Sequence, residues 1–317
     1  MDRESDRAPQ MRLQGGNGRS HWRADNEMRC SIVVTGVLAA VLGCTGVSRA
    51  QDDVTVEGPA THVFSSPGGV PLKAYVFAPT GKRTGERRPA IVVFHGGGWS
   101  EGEPEWAFAR ARHFAARGLI AVAAQYRLSD QKTVTPLDAM ADARGVIHWM
   151  RTQAATLGID PGRIVADGWS AGAHLAASAA IFGDVTAAKG QGTAPNALIL
   201  VSPAVSLEGD SWAQRLLGGR GNVRDISPDE HVRPGLPPTL ILQGSTDTVT
   251  PLAGVERFCN RMKAVGNTCE LHVYEGFGHL FTPAGIPDNG QPQPDASTRS
   301  DALVRAERFL KSLGYIK

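Results

Sequence analysis

Arg163-Ile-Val-Ala-Asp-Gly-Trp-Ser-Ala-Gly-Ala-His-Leu-Ala-Ala-Ser178 is the stretch whose reading decides the fold. Its apolar segment Ile164 to Ala166 reads as a buried strand, and the alanine-rich run after Ser170 reads as a helix. Between them lies Gly168-Trp169-Ser170-Ala171-Gly172, a G-x-S-x-G pattern in the strand–turn–helix setting that gives it meaning. A serine at the apex of so sharp a turn takes a strained backbone conformation. Side chains two residues before and after it would meet the neighbouring strand and helix. Gly168 and Gly172 remove those collisions, and the helix that follows directs its N-terminus at Ser170.

Outward from this elbow, short apolar strands alternate with helices. Strand-like runs between Thr61 and Ala78 flank the turn Ser66-Pro-Gly-Gly69 and predict a hairpin. Ile91-Val-Val-Phe94 and Leu119–Ala124 are buried strands on either side of a helical pattern over 105–117. Pro136 opens a long amphipathic helix expected to reach Leu157, where Gly158 stops it, and Asp160-Pro161 turns the chain into the elbow strand. Ala197–Val201, Thr239–Leu242 and Glu270–Tyr274 continue the strands, with a helix over Leu252–Val265 and a last one over Arg299–Leu313. Such alternation predicts a mostly parallel central sheet covered by helices on both faces. Room for an elaboration exists only in 181–195 and 207–238, both too rich in glycine and proline for a large helical lid.

The first fifty residues read differently. Residues 1–27 are polar, and 30–47 form an uncharged, largely apolar run followed by Ser48-Arg49-Ala50, which supplies small residues at the −3 and −1 positions of a cleavage site. Residues 1–50 are therefore expected to be a leader with a signal peptide, and 51–317 a single catalytic domain in an exported protein. Val41-Leu42-Gly43-Cys44 also resembles a lipobox, so attachment to a membrane through a lipid on Cys44 is the alternative. As a spanning helix the run is short and broken by glycines. Seven of the 33 Lys/Arg and five of the 31 Asp/Glu lie in the leader, leaving 26 of each in the rest of the chain. No basic cluster remains there to track nucleic acid or an anionic membrane. Cys259 and Cys269, ten apart without further ligands at zinc spacing, argue against a metal site. In an oxidising compartment they are expected to form a disulfide between a helix and a strand, with two buried thiols as the alternative.

Ser170 needs a general base within hydrogen-bond reach, because a serine alkoxide is not available at neutral pH. On elbows of this kind the acid follows the nucleophile and the histidine comes last. His272 lies inside an alternating strand and His231 in the variable region. His279 stands just past a strand's C-terminal end, where ligand-contacting groups collect, and is the expected base. Asp247 sits on the turn after Thr239–Leu242 and is the expected acid, ahead of Asp225 and Asp229, which follow no apolar strand. His95-Gly96-Gly97-Gly98-Trp99, directly after a strand, leaves backbone N–H groups bare to hold an oxyanion, and the N–H of Ala171 is the expected further donor.

On these residues the chain resembles the α/β-hydrolase superfamily, in its esterase branch with an HGGG motif (hormone-sensitive-lipase-like, acetylxylan and feruloyl esterases). The likeness spans HGGGW at 95–99, Tyr126-Arg127-Leu128, Gly158-Ile-Asp-Pro-x-Arg163, GWSAGAHLA at 168–176, Asp247-x-x-x-Pro251 and His279. It implies an α/β-hydrolase fold, a triad of Ser170, Asp247 and His279, and an oxyanion hole of Gly97, Gly98 and Ala171. It also implies a bracing role for His95 and no cofactor. Trp169 and Ala173 depart from the GDSAGG of hormone-sensitive-lipase-like members. With little room for an N-terminal cap, they point to an open site with little or no cap domain, closer to compact carbohydrate-type esterases and arylformamidases. Trp99 is a candidate substrate contact, with buried packing as the equal alternative. His174 and Trp169 are expected to pack beneath the elbow, and Arg127 to serve as an ion-pair partner. The expected activity is a serine carboxylesterase acting on short-acyl or aromatic-acyl esters, including esters of carbohydrates. Amide hydrolysis by the same triad (arylformamidase- or peptidase-like) and a non-catalytic binding module on the same fold are the alternatives.

Overall fold

The computed structural model describes residues 55–81, 85–184, 192–288 and 291–317. The leader expected over 1–50 lies outside them. The described strands are β1 (Val56–Ser65), β2 (Leu72–Pro79), β3 (Arg88–Phe94), β4 (Ile120–Ala124), β5 (Ile159–Trp169), β6 (Ala197–Val201), β7 (Thr239–Gly244) and β8 (Cys269–Tyr274). They form one sheet in the order β1-β2-β4-β3-β5-β6-β7-β8. β1 and β2 make the expected hairpin, β2 pairs antiparallel with β4, and every later pairing is parallel. The C-terminal ends of β3, β5, β7 and β8 therefore open at one edge of the sheet, and the loops leaving them carry the candidate residues.

The helices are α1 (Phe108–Ala115), α2 (Pro136–Thr152), α3 (Ala154–Leu157), α4 (Ala171–Ile181), α5 (Ser211–Leu216), α6 (Val223–Ile226), α7 (Leu252–Ala264) and α8 (Ala296–Ser312). The pleat sorts side chains to two cores. On β3, Ala90, Val92 and Phe94 join the core beneath α2, α4 and α7, while Ile91 and Val93 join the one beneath α1 and α8. All eleven residues of α4 are buried. Its alanines and glycine let the helix approach the sheet closely, which a helix of larger side chains could not do at this spacing.

Two local readings are corrected. The helix expected over 136–157 breaks at Gln153 into α2 and α3. The Thr152 hydroxyl donates back to the Trp149 carbonyl at 3.0 Å, competing with the helix ladder where α2 ends. The Asp160-Pro161 turn lies within β5 and not before it. Pairing with β3 skips from Ile159 to Ile164, and the intervening residues bulge around the Asp160 carboxylate, which accepts from Gly162 N and Arg163 Nε. Between β6 and β7 stand only α5, α6 and a 3-10 turn at Pro228–His231, so no large lid covers the described sheet edge. Among the described residues no helix is long and apolar enough to cross a membrane.

Candidate active site

The serine turn is built as its glycines require. Ser170 sits at φ 54°, ψ −124°, a conformation that L-residues rarely hold. A Cβ on Gly168 would come within 2.5 Å of the Gly172 carbonyl oxygen, and one on Gly172 would run into the carbonyl oxygens of Phe94 and His95. The elbow is thus pressed against the end of β3 and the glycine loop that leaves it. Its amide is held by Ser170 N–H donating to Val201 O at 3.0 Å.

The structure brings Ser170, His279 and Asp247 together. Ser170 Oγ stands 3.0 Å from His279 Nε2, and His279 Nδ1 stands 2.9 Å from Asp247 Oδ2. A carboxylate can only accept, so Nδ1 carries the proton and Nε2 is left to accept from the serine hydroxyl. Asp247 Oδ1 also accepts from Val249 N and Thr250 N, and Oδ2 from the Thr250 hydroxyl. Burial pushes the Asp247 carboxyl up, but the donors from His279 and Thr250 outweigh it and hold the group below the usual carboxylate range. The histidine turn is itself strained: Leu280 and Phe281 have φ of 52° and 66°, and Leu280 N donates to Ser202 Oγ at 3.1 Å. The other candidates lie elsewhere. Asp225 caps α6, Asp229 pairs with Arg257, His231 Nε2 meets the Arg224 carbonyl, and His272 packs edge-on to Tyr274 on β8.

The glycine loop has both relevant carbonyls turned away. Gly96 O accepts from His95 Nδ1 at 2.7 Å, and Gly97 O accepts from Ser100 N and Glu101 N. In a trans peptide the N–H points opposite to the C=O. Fixing these two carbonyls therefore aims the N–H groups of Gly97 and Gly98 the other way, as an oxyanion hole needs. Gly97 has φ 116°, and a Cβ there would strike the Glu101 carbonyl. His95 is stacked on Tyr126, whose hydroxyl donates to His95 O at 3.0 Å, so His95 braces the loop. Burial lowers His95 to about 4, which keeps the ring neutral.

Trp99 does not stand at the mouth of the site. It is 3% exposed, and its indole N–H donates to His174 Nδ1 at 3.1 Å. The side chain beside the glycine loop is Trp212 of α5, 37% exposed, whose Nε1 donates to Gly98 O at 3.1 Å. Nothing in its local sequence singled it out. His174 is fully buried. With Nδ1 accepting from Trp99, its Nε2–H donates to Ile226 O at 2.8 Å, and burial lowers it to about 4. One imidazole therefore ties the glycine loop, the serine helix and the short insertion together. Trp169 lies against Gly96, and Arg127 pairs with Asp142 and Asp138. Cys259 on α7 and Cys269 at the start of β8 face each other with Cα atoms 5.6 Å apart. Among the described residues no group of His, Cys, Asp and Glu could hold a metal ion.

Three comparisons bear on this geometry. The BD-FAE family matches residues 76–262, a span that includes the glycine loop, Ser170 and Asp247 and ends before His279. Thermogutta terrifontis esterase 2, in its form phosphoramylated by tabun, is 35% identical over 81% of this chain and 95% of its own, with a TM-score of 0.71. Its propionate-bound form is 36% identical over 82% and 96%, with a TM-score of 0.70. A probable isoprenylcysteine alpha-carbonyl methylesterase of rice is 27% identical over 60% of this chain and 51% of its own length. The chain spans about half the length of the curated relatives it matches. Sheet order, elbow and family match agree: the chain belongs to the BD-FAE family of esterases on the α/β-hydrolase fold.

Proposed function

We propose that the protein is a serine carboxylesterase working through an acyl-enzyme on Ser170. The observation that carries this reading is the continuous relay Ser170–His279–Asp247, with spacings of 3.0 and 2.9 Å. His279 takes the serine proton as Oγ attacks the ester carbonyl, and Asp247 stabilises the imidazolium that forms. The N–H groups of Gly97, Gly98 and Ala171 hold the oxyanion, a contribution of roughly 3–4 kcal/mol per donor. His279 then protonates the departing alcohol, and a water activated at the same nitrogen releases the acid. Ser170→Ala is expected to abolish hydrolysis of p-nitrophenyl acetate while the protein stays folded; undiminished turnover in that variant sinks the proposal.

The substrate class we propose is a short-acyl or aromatic-acyl ester with a bulky alcohol, such as a decorated carbohydrate. Three observations support it: the short insertion over the sheet edge, the half-exposed Trp212 indole beside Gly98, and the propionate bound to the Thermogutta relative. Tryptophan offers a flat apolar face to a sugar or aryl ring. A panel of p-nitrophenyl esters of increasing chain length, acetylated xylan and methyl ferulate is expected to peak at short or aromatic acyl groups. A maximum at long chains overturns it. We further propose that 51–317 is the catalytic domain of an exported protein and that Cys259 and Cys269 are disulfide-bonded in it. Export is tested by fractionation and N-terminal sequencing; cleavage after Ala50 supports it, and a lipidated Cys44 selects the anchored form.

A further inference from the structure

We propose that Asp288 is a positioning residue that fastens the acid turn to the histidine turn and so sets the alignment of the relay. Its two carboxylate oxygens serve different turns. Oδ1 accepts from the backbone N–H of His279 at 2.9 Å, while Oδ2 accepts from the backbone N–H and the hydroxyl of Thr248 at 2.9 and 3.0 Å. Thr248 is the neighbour of Asp247, so one side chain grips the residue after the acid and the histidine itself. These are hydrogen bonds to an ionised acceptor, roughly twice as strong as neutral ones. Gly278 makes the space for them: a Cβ there would lie 2.8 Å from Oδ2 and closer still to Oδ1.

Nearer the sheet the same turns are joined by Thr246 N–H to Phe277 O and Gly276 N–H to Ser245 Oγ, at 2.9 Å each. Those bonds extend the β7–β8 pairing. Asp288 adds a side-chain link beyond it, at the level of the catalytic groups. It arrives from the loop between the 3-10 turn His279–Phe281 and α8, outside the span matched by the family. The histidine turn contains two residues of positive φ, a geometry that persists only where its surroundings over-determine it. Asp288 is one of the groups that do so.

The inference rests on the triad reading, and the experiment separates the two. Wild type, Asp288→Ala, Asp288→Asn and Thr248→Val are compared for kcat, KM and the second-order rate of Ser170 labelling by a fluorophosphonate. Far-UV circular dichroism reports folding. Misalignment of about 1 Å costs on the order of 100-fold, so Asp288→Ala is expected to lose about 10- to 100-fold in kcat and labelling rate with KM within twofold. Asp288→Asn keeps one acceptor and is expected to fall between it and wild type, and Thr248→Val to lose less. If Asp288→Ala does not fold, the Asp288→Asn result decides. A kcat and labelling rate within twofold of wild type overturn the proposal, as does a change confined to KM, which would place Asp288 on the substrate. Failure of wild type to label at Ser170 condemns the triad reading instead.

Discussion

Acid pH is expected to destabilise the protein well before its carboxylates titrate, through His174 and His95. Both are buried and lowered from 6.5 to about 4. Below pH 6.5 the unfolded chain takes up protons on these rings while the folded protein does not. Stability therefore falls as pH drops from about 6.5 towards 4, and the full contribution is present only above that window. At 1.36 kcal/mol per pH unit, lowering the pH to 5 costs about 2 kcal/mol for each histidine. For His174 the structure supplies the reason: its Nδ1 accepts the Trp99 N–H and its Nε2–H is committed to Ile226 O. A second proton would set two donors against each other. His113 and His272, also lowered by burial, add in the same sense, so the informative quantity is a difference between variants. Glutamine at 174 offers a donor and an acceptor but does not titrate. Urea unfolding at pH 7.5 and pH 5.0 is expected to lose about 2 kcal/mol less in His174→Gln than in wild type. Equal losses in the two proteins refute the reasoning.

Gly97→Ala is expected to lower kcat about 100- to 1000-fold, as removal of an oxyanion donor does, because φ 116° and the Glu101 carbonyl exclude a Cβ; steady-state hydrolysis of p-nitrophenyl acetate measures it. Gly172→Ala is expected to cost about 3 kcal/mol, the upper part of the overpacking range, since the new methyl meets the Phe94 and His95 carbonyls. A urea midpoint close to that of wild type would contradict it. Replacing Cys259 and Cys269 by serine is expected to cost about 3 kcal/mol for a crosslink of ten-residue separation. Maleimide labelling of the unreduced, denatured wild type is expected to find neither thiol free.

The elements legible in the sequence are those whose cause is local. Strand–turn–helix patterning marks the Ser170 elbow, and the glycines at 97, 168 and 172 stand where a Cβ would meet neighbouring backbone. Asp247 and His279 are legible as candidates because each follows an apolar strand in a fixed order, and the structure sets them in line with Ser170. What stayed hidden depends on partners distant in the chain. Trp99 follows the glycine loop and reads equally as a wall of the site or as buried packing; what decides is its indole bond to His174, 75 residues away. Trp212 stands by Gly98, 114 residues from it, on a helix with no distinguishing pattern. Asp288 sits in a loop whose prolines, glycines and aspartates read as plain turn composition, and only the fold joins it to Thr248 and His279.

The bond from His174 Nε2 to the Ile226 carbonyl has a consequence for anyone transplanting loops between these esterases. The insertion before β7 is the natural place to exchange specificity, being short and built outside the sheet. It is not an independent cassette, however. Its backbone supplies the acceptor for an imidazole rooted in the serine helix, and its Trp212 holds the Gly98 carbonyl. A graft that fits sterically but brings no carbonyl to that point leaves the buried N–H only the longer contact with Ser178 Oγ at 3.3 Å, a loss of about 1 kcal/mol. It also loosens the hold of His174 on Trp99, and so on the glycine loop. Successful chimeras should therefore be sought among donors that retain both contacts, or with position 174 redesigned in the same step.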